Sequence, residues 1–112
     1  MAEENKKEEL NTERADERYC IILKKPYLFE GKSYDEIDLT GLLNVRTGDM
    51  IEVNRMMIRN GNSDIYQEHS LEYAVYLAAR ATGKPIEFFE MLPPYAGMQL
   101  KNKVTGFLYR QE

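Results

Sequence analysis

The chain has 112 residues, of which 43% are hydrophobic and 30% charged, and its net charge is −4. This size and balance are typical of one small globular domain, and the short apolar runs exclude a membrane-spanning helix. A single histidine and a single cysteine exclude an internal disulfide and a zinc site. The negative charge argues against nucleic acid as the main partner. With a charged N-terminus in place of a signal peptide, we expect a cytoplasmic protein without metal or other cofactor.

Residues 1–18 differ in composition from the rest of the chain. Seven of them are acidic and four are basic. Such a segment buries too little apolar surface to offset the entropy cost of ordering it. We predict a disordered charged tail over residues 1–18 and a single folded domain over residues 19–112. A helix that orders on a partner is the alternative for the tail, because Glu and Lys favour helices.

Strand-like patterns occupy residues 20–39. An apolar, β-branched run extends from Cys20 to Leu23, and Glu30-Gly31 suits a tight turn. Pro26 has no N–H to donate and therefore predicts an edge or a bulge. We predict a β-hairpin here. It has to pack against helices or pair with another chain, because an isolated hairpin is only marginally stable in water.

Helical patterns follow the hairpin. The predicted helical segments are 40–45, 47–59, one from Ser63, Asp64 or Ser70 to Ala81, 85–92 and 95–109. Thr40 and Thr47 are the expected N-terminal caps of the first two. The alanine-rich third helix is predicted to be the central core helix, with Leu71 on its apolar side and with Tyr73 and Tyr76 on its polar side. The predicted fold class is α+β, an N-terminal β-hairpin followed by a small bundle of four or five α-helices.

The helix over 47–59 carries more apolar surface than one core contact requires. At 100° per residue its apolar side chains span about 220°, whereas a surface helix needs a stripe little wider than 100°. It also holds three of the six methionines, a residue over-used on surfaces that accept varied partners. Either these side chains fill the core or they form a partner-binding face. The candidate partner-binding residues are Met50, Val53, Met56 and Met57, with Phe88, Phe89 and Met91 of the short helix as further candidates.

The sequence does not point to catalysis. His69 has no serine or cysteine nucleophile at motif spacing, and Cys20, in an apolar strand, is expected to be an inert buried thiol. Asp35, Glu36 and Asp38 are expected to keep a hairpin edge soluble. No phosphate-binding loop or metal-ligand spacing is present in the sequence. We therefore expect no enzyme activity and no small-molecule substrate.

Two stretches of the sequence have a recognisable order of motifs. The first is LKKPYLFEGKSYDEIDLTGLLNVRTGDMIEVNRMM, residues 23–57, in which a hairpin is followed by a helix start. The second is LEYAVYLAARATGKPIEFFEMLPP, residues 71–94, followed by NKVTGFL at 102–108. Together they resemble the tail assembly chaperones of tailed phages and prophages, in the group of contractile-tailed, Mu-like and P2-like phages. The resemblance covers about residues 20–109 and leaves the charged tail outside.

The resemblance implies a non-catalytic role in virion assembly. Such chaperones bind the long, helical tape measure protein in the host cytoplasm before the tail tube polymerises around it. Tail tube subunits then displace them, so they are absent from the mature virion. The implied partners are the tape measure protein and the tail tube protein. The sequence leaves open whether the chain also forms a homo-oligomer. The alternatives are a structural head–tail connector or tail completion protein retained in the virion, and a small acidic regulator that binds the DNA-binding surface of another protein.

Overall fold

The order of elements was obtained from a computed structural model, which describes residues 16–61 and 70–109. A short 3-10 helix, Asp16–Tyr19, precedes a two-stranded sheet of β1, Cys20–Phe29, and β2, Lys32–Asp38. A second 3-10 helix, Thr40–Asn44, then leads to α1, Thr47–Arg59, α2, Leu71–Thr82, α3, Ile86–Glu90, and α4, Pro94–Tyr109. This order confirms the predicted α+β fold, a hairpin followed by four helices in the described part of the chain.

Some predictions fall at the borders of the described ranges. Residues 1–15 of the predicted tail, the alternative helix starts Ser63 and Asp64, and His69 lie outside the described residues. Residues 16–18 belong to the first 3-10 helix. Ser70 is the N-cap of α2, and its hydroxyl oxygen accepts a hydrogen bond from the Tyr73 N–H at 3.0 Å.

The hairpin is antiparallel and irregular at the predicted place. Ile22 lies opposite Glu36 and Tyr27 opposite Tyr34, so residues 23–26 of β1 face a much shorter segment of β2. This bulge contains Pro26, which cannot donate a ladder hydrogen bond. The turn is closed by Glu30 and Gly31 in left-handed conformations, with φ of 50° and 78°.

The hairpin is held on the helices by one apolar face and two tyrosines. Ile21, Leu23 and Ile37 are buried in the core. The Tyr27 hydroxyl donates to the Phe88 carbonyl oxygen at 2.8 Å. In return, the Tyr95 hydroxyl of α4 accepts from the Lys24 N–H at 2.7 Å, inside the bulge. The helices thus supply the packing that a lone hairpin requires.

The caps of the first helical segments differ from the prediction. Thr40 and Thr47 are the first residues inside their helices, and neither is the N-cap. The N-cap positions are Leu39 and Arg46, and aspartate carboxylates bind the nearby amides: Asp38 accepts from the Thr40 N–H at 2.9 Å, and Asp49 accepts from the Arg46 N–H at 2.8 Å. A carboxylate is the stronger acceptor, and at the N-terminus of α1 it also faces the positive end of the helix dipole.

Asp49 also joins α1 to α2. Its second carboxylate oxygen accepts from the Arg80 Nε at 2.6 Å. The Arg46 N–H first, and then the Arg80 guanidinium, hold the pKa of the Asp49 carboxyl below its usual range. The two helices are therefore linked at the surface as well as through the core.

α2 is the central helix, as predicted, but it is enclosed more completely. It packs against α1, α3, α4 and the second 3-10 helix. Every residue from Tyr73 to Ala79 is buried, so the prediction that Tyr73 and Tyr76 lie on a polar side is wrong. The Tyr76 hydroxyl reaches Asn60 at the end of α1, accepting from its Nδ2 at 2.7 Å. Leu71, predicted on the apolar side, is 43% exposed.

α4 closes the other side of the core. Ala96, Leu100 and Val104 are buried along it, and the Phe107 ring lies edge-on to the Tyr19 ring, with centroids 6.2 Å apart. The apolar end of this helix is thereby docked on the start of the domain. Of the described helices, α4 included, none is long and apolar enough to cross a membrane.

Candidate functional site

The seven predicted partner-binding residues do not share one surface. Four are buried in the core: Val53, Met57, Phe88 and Phe89. Met50 and Met56 are half-buried, and Met91 is 69% exposed. Side chains as fully enclosed as Val53 and Met57 can meet a partner only if the domain opens. The accessible candidates therefore do not form one surface with the buried residues that the sequence pattern grouped with them.

The wide apolar arc of α1 consists of two sides with different surroundings. Val53 and Met57 point into the core and are fully buried. Ile51 and Ile58, seven residues apart and so on one face of the helix, are 45% and 61% exposed. The core therefore accounts for part of the arc, and the rest is a narrow convex stripe.

Phe88 is the centre of an aromatic cluster and not a surface anchor. Its ring meets four others edge-on, with centroid separations between 4.9 and 5.3 Å. The four are Tyr27, Phe29, Tyr34 and Phe89. Edge-to-face contacts at this distance add to the stabilisation from burial. This residue therefore fixes α3 against the hairpin.

An open apolar groove lies between the start of α2, α3 and the start of α4. Its volume is about 700 Å³. Its apolar lining residues are Leu71, Val75, Phe89, Leu92, Pro94, Gly97 and Met98. Two carboxylates, from Glu72 and Glu90, complete the described lining. Leu71 and Met98 are 43% and 49% exposed, so the groove is bordered by accessible apolar side chains.

The groove results from a helix break followed by a glycine. α3 has five residues, and the Pro93-Pro94 pair that follows keeps it separate from α4. One turn into α4, Gly97 leaves the wall without a side chain, and a Cβ added there would meet no atom within 4 Å. The sequence signal is the row Pro94, Gly97, Met98 on one side of α4, but without the tertiary packing it does not indicate a cavity.

A second cavity, of about 290 Å³, lies beside the hairpin turn. The Lys84 Nζ there is 5.0 Å from the ring centroids of both Tyr34 and Phe88. An ammonium group over two ring faces is attracted by their quadrupoles. Lys84 therefore fastens the connection between α2 and α3 to the hairpin, and we assign this cavity a structural role.

Cys20 lies at the start of β1 and is half-buried. Burial first, and then the neighbouring Glu36 carboxylate, raise the pKa of its thiol to about 11. A thiol of this kind is protonated at neutral pH and is a poor nucleophile. Among residues 16–61 and 70–109, no three His, Cys, Asp or Glu side chains come together as a metal site would require.

We therefore predict slow alkylation of Cys20 in the folded protein. At pH 8, iodoacetamide should modify the native chain at least about tenfold more slowly than the chain in urea, because the raised pKa leaves little thiolate. The native rate should climb as the pH rises towards 11. Mass spectrometry of quenched time points measures both rates. Equal native and denatured rates at pH 8 would contradict the raised pKa.

The residues that line the groove determine which chemical groups it can bind. Carbon surface favours apolar side chains, and the two carboxylates at its edge favour cations. No serine, cysteine, histidine or lysine is among the described residues that line it. The chain matches no known family model, no curated protein and no solved structure. The groove is the candidate binding site of the described residues.

Proposed function

We propose that the chain is a non-catalytic phage or prophage tail assembly chaperone that binds the tape measure protein in the host cytoplasm. The observation that carries the proposal is the open apolar groove with Leu71 and Met98 exposed at its border. A concave and mostly apolar surface with a few polar groups is the form that binding sites in proteins commonly take. The resemblance of residues 23–57 and 71–94 to tail assembly chaperones supports the choice of partner.

The proposed binding mode is a helix in a groove. A long helical protein presents apolar side chains at i, i+3, i+4 and i+7, and such a row fits an apolar trough between helices. Covering that row before assembly would keep the partner from aggregating. Met98 in the lining and Met91 beside it have flexible side chains that can repack around different partner residues. The methionine-rich surface expected on α1 is thus proposed at α3 and α4 instead.

Co-purification with the neighbouring tape measure protein tests the proposal. The tagged wild-type chain should retain the tape measure protein. Gly97→Phe should retain at least about tenfold less of it, because the phenylalanine ring occupies the groove. Gly48→Phe is the matched control. Gly48 also lies in a helix, and a Cβ there also meets no atom within 4 Å. Thermal unfolding should show that both variants remain folded.

Two results would reject this function. If wild-type chain does not retain the tape measure protein, the proposed partner is wrong. If Gly97→Phe retains it as well as Gly48→Phe does, the groove is not the site. Mass spectrometry of purified tails separates the chaperone from the connector alternative. A chaperone should be absent from finished particles, and a connector should be present in stoichiometric amount.

A further inference from the structure

We infer that the groove selects helices whose apolar face is flanked by lysine or arginine. The inference rests on the proposed function and specifies the chemistry of the partner. The two charged residues among the described lining are both acidic, Glu72 and Glu90. A third, Glu87, lies on the same short helix as Glu90 and is exposed. The exposed Glu90 therefore places a negative charge at the groove, next to an apolar floor.

The Glu90 carboxylate is held at the groove by the packing of α3. This helix reads IEFFE and contains no basic residue. Phe88 and Phe89 are buried, which leaves Glu87 and Glu90 on the outer side. Because the phenylalanines fix the rotation of α3, Glu90 cannot turn away from the groove without unpacking the core. Charges placed at the rim of an interface govern orientation and specificity.

Other occupants fit this surface less well. Pockets for small molecules usually bury most of the surface of the ligand, whereas this groove is open to solvent. A second copy of the chain has a net charge of −4 and would bring like charges together. Anionic lipid headgroups would be repelled by the same carboxylates. A helix with an apolar row between basic residues can place the apolar row on the floor of the groove and the basic residues beside the carboxylates.

Two designed peptides test the inference directly. Both are fluorescein-labelled amphipathic helices with the same leucine row, flanked by lysine in one and by glutamate in the other. Titrated with the full-length chain at about 20 mM salt, the lysine peptide should bind about tenfold tighter, and near 1 M salt the ratio should approach one. Gly97→Phe should weaken both peptides, because it fills the floor that they share.

Charge reversal at the border provides the matched variant pair. Glu90→Lys should remove most of the preference for the lysine peptide, a change of about threefold or more. Asp35→Lys makes the same change in net charge at an exposed position of β2. It should leave the preference unchanged. The comparison thus separates a local border effect from the effect of overall charge.

The outcomes distinguish this inference from the proposed function. Equal affinity for the two peptides, or a preference that Asp35→Lys changes as much as Glu90→Lys, overturns the charge selection. The proposed function stands in that case if Gly97→Phe still loses the tape measure protein. If neither peptide binds, the inference is also overturned. It is overturned as well if the chain forms a dimer that the Gly97→Phe substitution dissociates. If the wild-type chain does not bind the tape measure protein, the proposed function itself is rejected.

Discussion

Phe88→Ala is expected to cost the domain about 3–5 kcal/mol of its free energy of unfolding. Phe88 is 1% exposed, and its ring meets rings from both strands of the hairpin and from α3. Alanine would leave a cavity at the joint between sheet and helices. In a domain of this size such a loss lowers the midpoint of thermal unfolding by about 12 °C or more. Circular dichroism during heating and urea titration measures it.

Met91→Ala is the control for this substitution. Met91 is three residues away and 69% exposed, so truncating it should change the free energy of unfolding by no more than about 0.5 kcal/mol. The contrast tests whether α3 is anchored through its buried rings. A loss below about 1 kcal/mol for Phe88→Ala would mean that the aromatic cluster contributes little beyond what its neighbours supply.

The hairpin and the helix order could be predicted because their signals are local. The β-branched run from Cys20 and the Glu30-Gly31 turn are each contained in a few residues, and so is the break at Pro93-Pro94. Local rules did worse at the exact start of a helix. Thr40 and Thr47 are good capping residues, but each lies one position inside its helix, after Leu39 and Arg46. The residue at which a helix begins depends on the three-dimensional path of the chain.

The groove that we propose as the binding surface was harder to predict, because composition does not separate buried from exposed methionine. The apolar arc of α1 indicated excess surface, yet Met57 is fully buried, whereas Met98 on a helix with a weaker pattern is 49% exposed. The difference arises from the neighbours of each helix. α1 packs on the central helix α2, while the start of α4 faces the gap beyond α3. That gap exists only after the helices have packed.

Gly41→Ala is expected to destabilise the domain, by about 1–3 kcal/mol, although alanine usually stabilises a helix relative to glycine. Gly41 lies in the second 3-10 helix, where it meets the end of α2. A Cβ there would be 3.0 Å from the Ala81 carbonyl carbon and closer still to its oxygen. Both are backbone atoms of a hydrogen-bonded helix, so neither can move aside as a flexible side chain could. The 3-10 helix would have to shift and take Leu42 out of the core.

Gly97→Ala is the matched control, and the pair should move in opposite directions. The same methyl group at Gly97 meets no atom within 4 Å, so only the higher helix propensity of alanine acts. That should raise the free energy of unfolding by about 0.5–1 kcal/mol. Urea titration of both variants gives the two values on one scale. Stabilisation by both substitutions would show that the second 3-10 helix does not approach α2 closely. Destabilisation by both would show that the wall of the groove at Gly97 is closed.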